Sequence, residues 1–196
     1  MEPSYDAIVL AGGSARRLGG VDKPMVRVGG RTMLDRVLEA CAHAGRTVVV
    51  GPARPVARPV LWTREEPPGG GPAAALHAGL RCCADSMLGV FAADLPFLDA
   101  ETVRDLLSAA ADRDGAAVVD RSGRWQWLTG IYRREALVAA FERSGDGRGA
   151  GLPLGRLMRG LALVPVAARA FAAADCDTWE DVASARLAAA ESARGE

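Results

Sequence analysis

Asparagine is absent from the 196 residues, and of the 24 basic residues only Lys23 is lysine, the rest being arginine. Such a bias suggests a coding sequence that drifts to arginine wherever either cation serves. The surviving lysine then marks a place where a compact ammonium does what a planar fork does not, with chance retention as the competing reading. Net charge is also missing: 24 basic and 24 acidic residues give a formal charge of zero. There is thus no overall electrostatic case for nucleic acid or an anionic membrane, although a local basic patch could still hold phosphates. No apolar run reaches the roughly 20 residues of a membrane span, and the polar start from Met1 to Asp6 is no secretory leader, so the expected location is the cytoplasm. Cys41, Cys82, Cys83 and Cys176 include no CxxC pair of a zinc or redox site and read as reduced thiols. What is present, a half-apolar chain of this length, suits one domain spanning residues 1–196.

Apolar runs and breakers predict an alternation of strands and helices. Asp6–Leu10 is a buried strand that ends in Ala11, Gly12 and Gly13. Leu34, Val37, Leu38 and Cys41 fall at helical spacing after Thr32, with Gly45 as the stop. Strands are expected at Thr47–Val50, Val60–Trp62, Met87–Ala93, Ala116–Val119, Trp127–Tyr132 and Leu161–Val166. Helices are expected from Pro72, over Thr102–Ala111, Arg134–Phe141, Pro153–Arg159 and Trp179–Ala190. The short Gly145–Gly151 stretch reads as a mobile active-site loop rather than a domain boundary. Strands separated by helices of about 10 to 15 residues argue for an α/β fold in three layers, a mostly parallel sheet with helices on both faces.

The stretch Leu10 to Lys23 reads LAGGSARRLGGVDK: a strand end, two glycine pairs with two arginines between them, and the lysine. Glycines let backbone N–H groups approach phosphate oxygens, and Arg17 and Lys23 can neutralise a polyphosphate, so the segment suits a triphosphate. It is neither the Walker loop nor the GxGxxG fingerprint, and a plain glycine-rich turn is the competing reading. Asp94 follows the Met87–Ala93 run and so falls at the carboxyl end of a buried strand, the edge where open parallel sheets bind ligands. Magnesium takes one or two carboxylates plus substrate phosphates, which makes Asp94 a candidate ligand; a helix cap or a turn before Pro96 is the alternative. Asp175 and Asp177 would point the same way in an extended segment, so Asp177 is a second candidate metal ligand, or else it or Thr178 caps the last helix. His43 and His77 lack partners with metal-ligand spacing and read as surface or packing residues.

LAGGSARRLGGVDKP resembles the signature of the sugar-nucleotide and cofactor nucleotidyltransferases, and its GGVDK ending is especially similar to the molybdenum cofactor guanylyltransferases. Three later segments resemble that family in the same order: Gly70, Gly71 and Pro72 before an alanine-rich helix, FAADLPF around Asp94, and ADCDTWED around Asp177. The resemblance implies a Rossmann-like nucleotidyltransferase domain in which Leu10, Ala11, Gly12 and Gly13 contact the base and phosphates. It also implies that Gly71 and Pro72 border the base, that Arg17 and Lys23 hold the triphosphate, and that Asp94 binds Mg2+. The implied reaction transfers a nucleotidyl group from GTP to molybdopterin or its molybdenum form, releases pyrophosphate, and is driven by alignment and charge neutralisation by Arg17, Lys23, Asp94 and the metal. Relatives that use CTP or GTP on another phosphorylated acceptor, and a nucleotide-binding module without chemistry, are the alternatives. Gly51, Pro52, Ala53 and Arg54 depart from the family, which often has a polar residue near the base there, while Glu65 and Glu66 fall where an acidic residue reads guanine's donor edge. Trp125, Gln126 and Trp127 fall where the family has variable residues facing the acceptor, with aromatic packing as the plainer reading.

Overall fold

The computed structural model describes residues 4–13, 20–145, 147–168, 176 and 178–192. Its frame is a seven-stranded sheet built from β1 (Asp6–Leu10), β4 (Thr47–Val50), β5 (Leu61–Thr63), β6 (Met87–Ala92), β7 (Gly115–Val119), β8 (Trp125–Arg133) and β9 (Leu163–Ala167). A two-stranded hairpin, β2 (Arg27–Val28) and β3 (Arg31–Thr32), stands apart from it. The helices are α1 (Met33–Ala40), α2 (Pro72–Leu80), α3 (Ala100–Ala109), α4 (Arg134–Arg143), α5 (Leu154–Met158) and α6 (Trp179–Ser192).

Strand order across the sheet is β5-β4-β1-β6-β8-β7-β9. All neighbouring pairs are parallel except the two made by β8, so the sheet is mostly parallel. The antiparallel strand follows from its connection. Gly123, with φ +82°, and Asp120, whose carboxylate accepts from the Ser122 and Arg124 amides, make a tight reversal after β7. That reversal sends β8 back into the slot that the α3 crossover leaves between β6 and β7.

Alternation along the buried strands sorts the core into two layers. Ala7 and Val9 pack with Leu34, Val37 and Leu38 of α1 and Val103, Leu106 and Leu107 of α3 on one face. Ile8 and Leu10 pack with Leu76 and Leu80 of α2, Leu137 and Phe141 of α4 and Leu157 of α5 on the other. Helix starts are chemically marked: Thr32 accepts from the Asp35 amide at 3.0 Å and Asp99 from the Thr102 amide at 2.7 Å, while Pro72 supplies the preset φ of a first turn. Among the described residues no helix is long and apolar enough to cross a membrane. The sequence reading starts β8 two residues late and has no counterpart for the β2–β3 hairpin, whose two-residue strands are too short to show a period.

Candidate active site

The chain leaves β1 toward β4 on one side and leaves β6 toward β8 and β7 on the other, so the connections diverge at the carboxyl ends of β1 and β6. Such a divergence opens a crevice between neighbouring strands. Leu10, Ala11, Gly12 and Gly13 leave β1 into it. Ala93 donates its amide to the Leu10 carbonyl at 3.0 Å and Ala11 donates to Val50 at 2.8 Å, which holds both strand ends together beyond the last full rung. Gly51 passes so close that a Cβ there would lie 2.8 Å from the Ala11 carbonyl oxygen, and its φ of +149° disfavours a side chain independently. Gly13 has φ +117°, a conformation that glycine permits. Arg17 lies outside the described residues.

Lys23 opens a short 3-10 turn, Lys23–Met25, stiffened by the buried Pro24, in which the Met25 amide donates to the Asp22 carbonyl at 2.9 Å. Its ammonium crosses the crevice and donates to Asp94 Oδ2. Their side chains are only 16% and 19% exposed, so the two opposite charges share a partly desolvated cleft. Asp99, not Asp94, caps α3, and Asp94 itself lies in the turn that follows β6. Lys23 and Asp94, singled out by the sequence for the triphosphate and the metal, are therefore brought together.

Gly71, with φ +88°, and Pro72 form the start of α2, where no side chain caps the helix. Unpaired amides at such an end, together with the helix dipole, favour an anion or a polar base edge. The Gly151 amide donates to the Gly70 carbonyl at 2.9 Å, so the glycine-rich loop before α5 lies against this turn. A Cβ on Gly149 would lie 2.8 Å from the Phe141 ring and 3.1 Å from Ala73 Cβ, which makes that approach dependent on glycine. Glu65 accepts from the Gly69 amide at 3.3 Å and thus braces the turn before α2.

Sequence reasoning missed Arg54 and Asp22. Arg54 Nε donates to both Asp22 oxygens at 2.9 and 2.8 Å, Nη2 lies 2.8 Å from Oδ1, and Nη1 donates to the Pro52 carbonyl at 3.0 Å. The loop after β4 is thereby fastened to the residue before Lys23. An acidic residue beside the conspicuous lysine was the available signal, but nothing local points to a partner 32 positions away.

Asp177 lies outside the described residues. The cap of α6 is made by Thr178, whose Oγ1 accepts from the Asp181 amide at 3.2 Å while the Asp181 carboxylate accepts from the Thr178 amide at 2.7 Å. His77 packs edge-on against Phe141, ring centroids 5.1 Å apart, in keeping with a packing role. No cluster of three or more His, Cys, Asp or Glu with metal-binding geometry exists among the described residues. Asp94 alone nonetheless suits magnesium, which keeps waters and substrate phosphates in most of its positions, and the Lys23 ammonium already stands as a cation on its carboxylate.

Against known proteins, the family profile described as the MobA-like NTP transferase domain matches residues 7–163. A Mycobacterium ulcerans protein named "Probable molybdenum cofactor guanylyltransferase" is 36% identical over 155 residues, covering 71% of this chain and 76% of its own. Its Mycobacterium tuberculosis counterpart of the same name is 34% identical over 151 residues, covering 69% and 74%. In fold, molybdopterin-guanine dinucleotide biosynthesis protein A from Archaeoglobus fulgidus superposes with a TM-score of 0.72 at 22% identity over 95% of this chain and 99% of its own. The 2-C-methyl-D-erythritol 4-phosphate cytidylyltransferase of Thermus thermophilus superposes with a TM-score of 0.74 at 19% identity over 97% and 100%. The chain belongs to the MobA-like NTP transferase family and is a nucleotidyltransferase.

Proposed function

We propose that the chain is a magnesium-dependent, cytoplasmic guanylyltransferase that moves GMP from GTP to the terminal phosphate of molybdopterin or its molybdenum form. The meeting of Lys23 and Asp94 at the divergence of β1 and β6 carries this reading, because it puts a cation and a carboxylate at the mouth of a glycine loop suited to a polyphosphate. The names of the mycobacterial relatives support guanine as the base and the molybdenum cofactor as the acceptor.

In the proposed reaction an oxygen of the acceptor phosphate attacks the α-phosphorus of GTP. The new P–O bond forms as the bond from the α-phosphorus to the bridging oxygen breaks, and pyrophosphate leaves with that oxygen. The nucleophile is already anionic at neutral pH, so no general base is required. The glycine-loop amides and Lys23 hold the triphosphate in line, with Arg17 as a further cation, and alignment with charge neutralisation supplies the rate. Asp94, with Asp177 as second ligand, would hold Mg2+, whose charge stabilises the phosphate oxygens in the transition state.

Gly71 and Pro72 at the start of α2 border the base. Pyrophosphate release measured with GTP, CTP, ATP and UTP, each with molybdopterin and magnesium, tests the reading. Release with GTP alone among the four supports it. Release with CTP in place of GTP, or none with any triphosphate, overturns it.

A further inference from the structure

The indoles of Trp125 and Trp127 lie stacked, with ring planes 3° apart and centroids 5.1 Å apart. They occupy alternate positions of β8 and share its α2/α4/α5 face, while Gln126 between them turns the other way and donates to Asp120 at 2.8 Å. Trp127 is fixed from two directions: the Tyr132 hydroxyl donates to its carbonyl at 2.8 Å, and Gly155 of α5 lies so near that a Cβ would stand 3.1 Å from the indole nitrogen. An indole pair serving only as core filling would be enclosed, as Tyr132 is. Both stay half-buried.

Their place relative to the crevice follows from the strand register. The last rung between β6 and β8 is Phe91 with Thr129. Beyond that rung β8 bulges between Gln126 and Gly130, and Trp125 pairs with Val119 at the carboxyl end of β7, so the indoles lie at the same edge of the sheet as Asp94, which follows β6. Across the mouth the order is therefore the glycine loop after β1, then Asp94 after β6, then the indoles on β8. The α5 segment touches both sides: Trp127 abuts Gly155, and Gly151 in the loop before it bonds to Gly70 beside the α2 start.

We infer that Trp125 and Trp127 form a stacking plate for the flat fused heterocycle of the acceptor, on the opposite side of Asp94 from the nucleotide. The inference rests on the guanylyltransfer reading for the acceptor's identity, but the geometry of the plate does not. An aromatic plate binds a fused heterocycle through dispersion and π-face complementarity, and two indoles already locked in register lose little freedom on receiving a third ring. With the nucleotide laid over the β1 and β4 side and its α-phosphorus at Asp94, the β8 side is left for the ring system of the incoming phosphate. The guanine of GTP is also a flat heterocycle, so the test separates the two occupants.

Quenching of tryptophan fluorescence by a free pterin, 6-carboxypterin, is titrated into the wild type, Trp125→Ala and Trp125→Phe, with GTP affinity measured on the same proteins by calorimetry. The expected result is a roughly tenfold loss of pterin affinity in Trp125→Ala, near-complete restoration in Trp125→Phe, and unchanged GTP affinity and melting temperature. Pterin affinity untouched in Trp125→Ala overturns the inference, and so does a loss that falls on GTP instead. Transfer of GMP to molybdopterin by the wild type is assayed alongside. Its absence with pterin binding intact removes the guanylyltransfer reading and leaves the plate, whereas transfer with pterin binding indifferent to Trp125 removes the plate alone.

Discussion

The Lys23 ammonium donates to the Asp94 carboxylate and thereby joins the end of the glycine loop to the end of β6, 71 residues further along the chain. The contact is charge-assisted and partly sheltered, so it orients two groups that a triphosphate and a cation would otherwise have to organise for themselves. Lys23→Ala removes the cation that faces the triphosphate. A hydrogen bond to a charged group contributes about 1.5 to 3 kcal/mol, so the specificity constant for GTP should fall by roughly 10- to 150-fold. Lys23→Arg should recover little, since a planar fork does not fit where one point charge bonds a single carboxylate oxygen. Asp94→Asn keeps the shape but loses the charge, and magnesium-dependent pyrophosphate release should drop steeply. The melting temperature should fall only modestly in all three, because the pair sits at the mouth of the crevice, where water can solvate whichever charge is left. Wild-type release in folded Asp94→Asn would remove Asp94 from the reaction.

Arg54 grips Asp22 through both carboxylate oxygens, and the grip sets the height of the loop after β4 against the turn that carries Lys23. Arg54 therefore acts as a positioning residue, working through Asp22 on Lys23. Arg54→Ala should raise the KM for GTP several-fold while kcat changes less, since the groups that face the α-phosphorus are left in place. The charge-reversed pair Arg54→Asp with Asp22→Arg should recover part of the loss that each single reversal causes. Steady-state kinetics on the four proteins decide it, and strictly additive losses would show that the two residues do not act through each other.

The order of strands and helices was legible because each element carries its own local signature. Unbroken apolar runs mark β1, β4 and β6, and Thr32, Asp99 and Pro72 mark helix starts chemically. The insertion of β8 between β6 and β7 was not legible, since it depends on which distant strands pair, and periodicity within β8 is the same in either direction. At the site, Lys23 and Asp94 were readable as residue types in suggestive places, but their contact is tertiary. The Asp22–Arg54 grip had no local signal at all, and neither did the buried Asp6 carboxylate, which accepts from the amides of Ala84 and Asp85 at 2.8 and 3.1 Å. Arg17 and Asp177, read from the same motifs, lie outside the described residues.

The four free cysteines should divide sharply by reactivity. Cys41, Cys83 and Cys176 are buried, whereas Cys82 is half-buried with its thiol on the Ala78 carbonyl at 3.6 Å. Burial pushes the Cys41 and Cys83 thiols from 9.0 up to about 12, and at Cys83 the Asp6 carboxylate pushes in the same direction. The thiolate is the reactive form, so at about pH 8 a disulfide reagent should modify Cys82 rapidly in the native protein and reach the other three only after denaturation. The same shifts make stability fall in alkali. In the native protein these thiols keep their protons at a pH where the unfolded chain has already lost them, so their contribution is full below the unfolded value near 9 and is lost as pH rises toward about 12. The melting temperature should therefore decline through that window, and Cys41→Ala should flatten the decline while lowering stability near neutrality through the small void it leaves. Rapid modification of three or more thiols in the native protein, or a decline equally steep in Cys41→Ala, would show that these thiols are not sealed in the core.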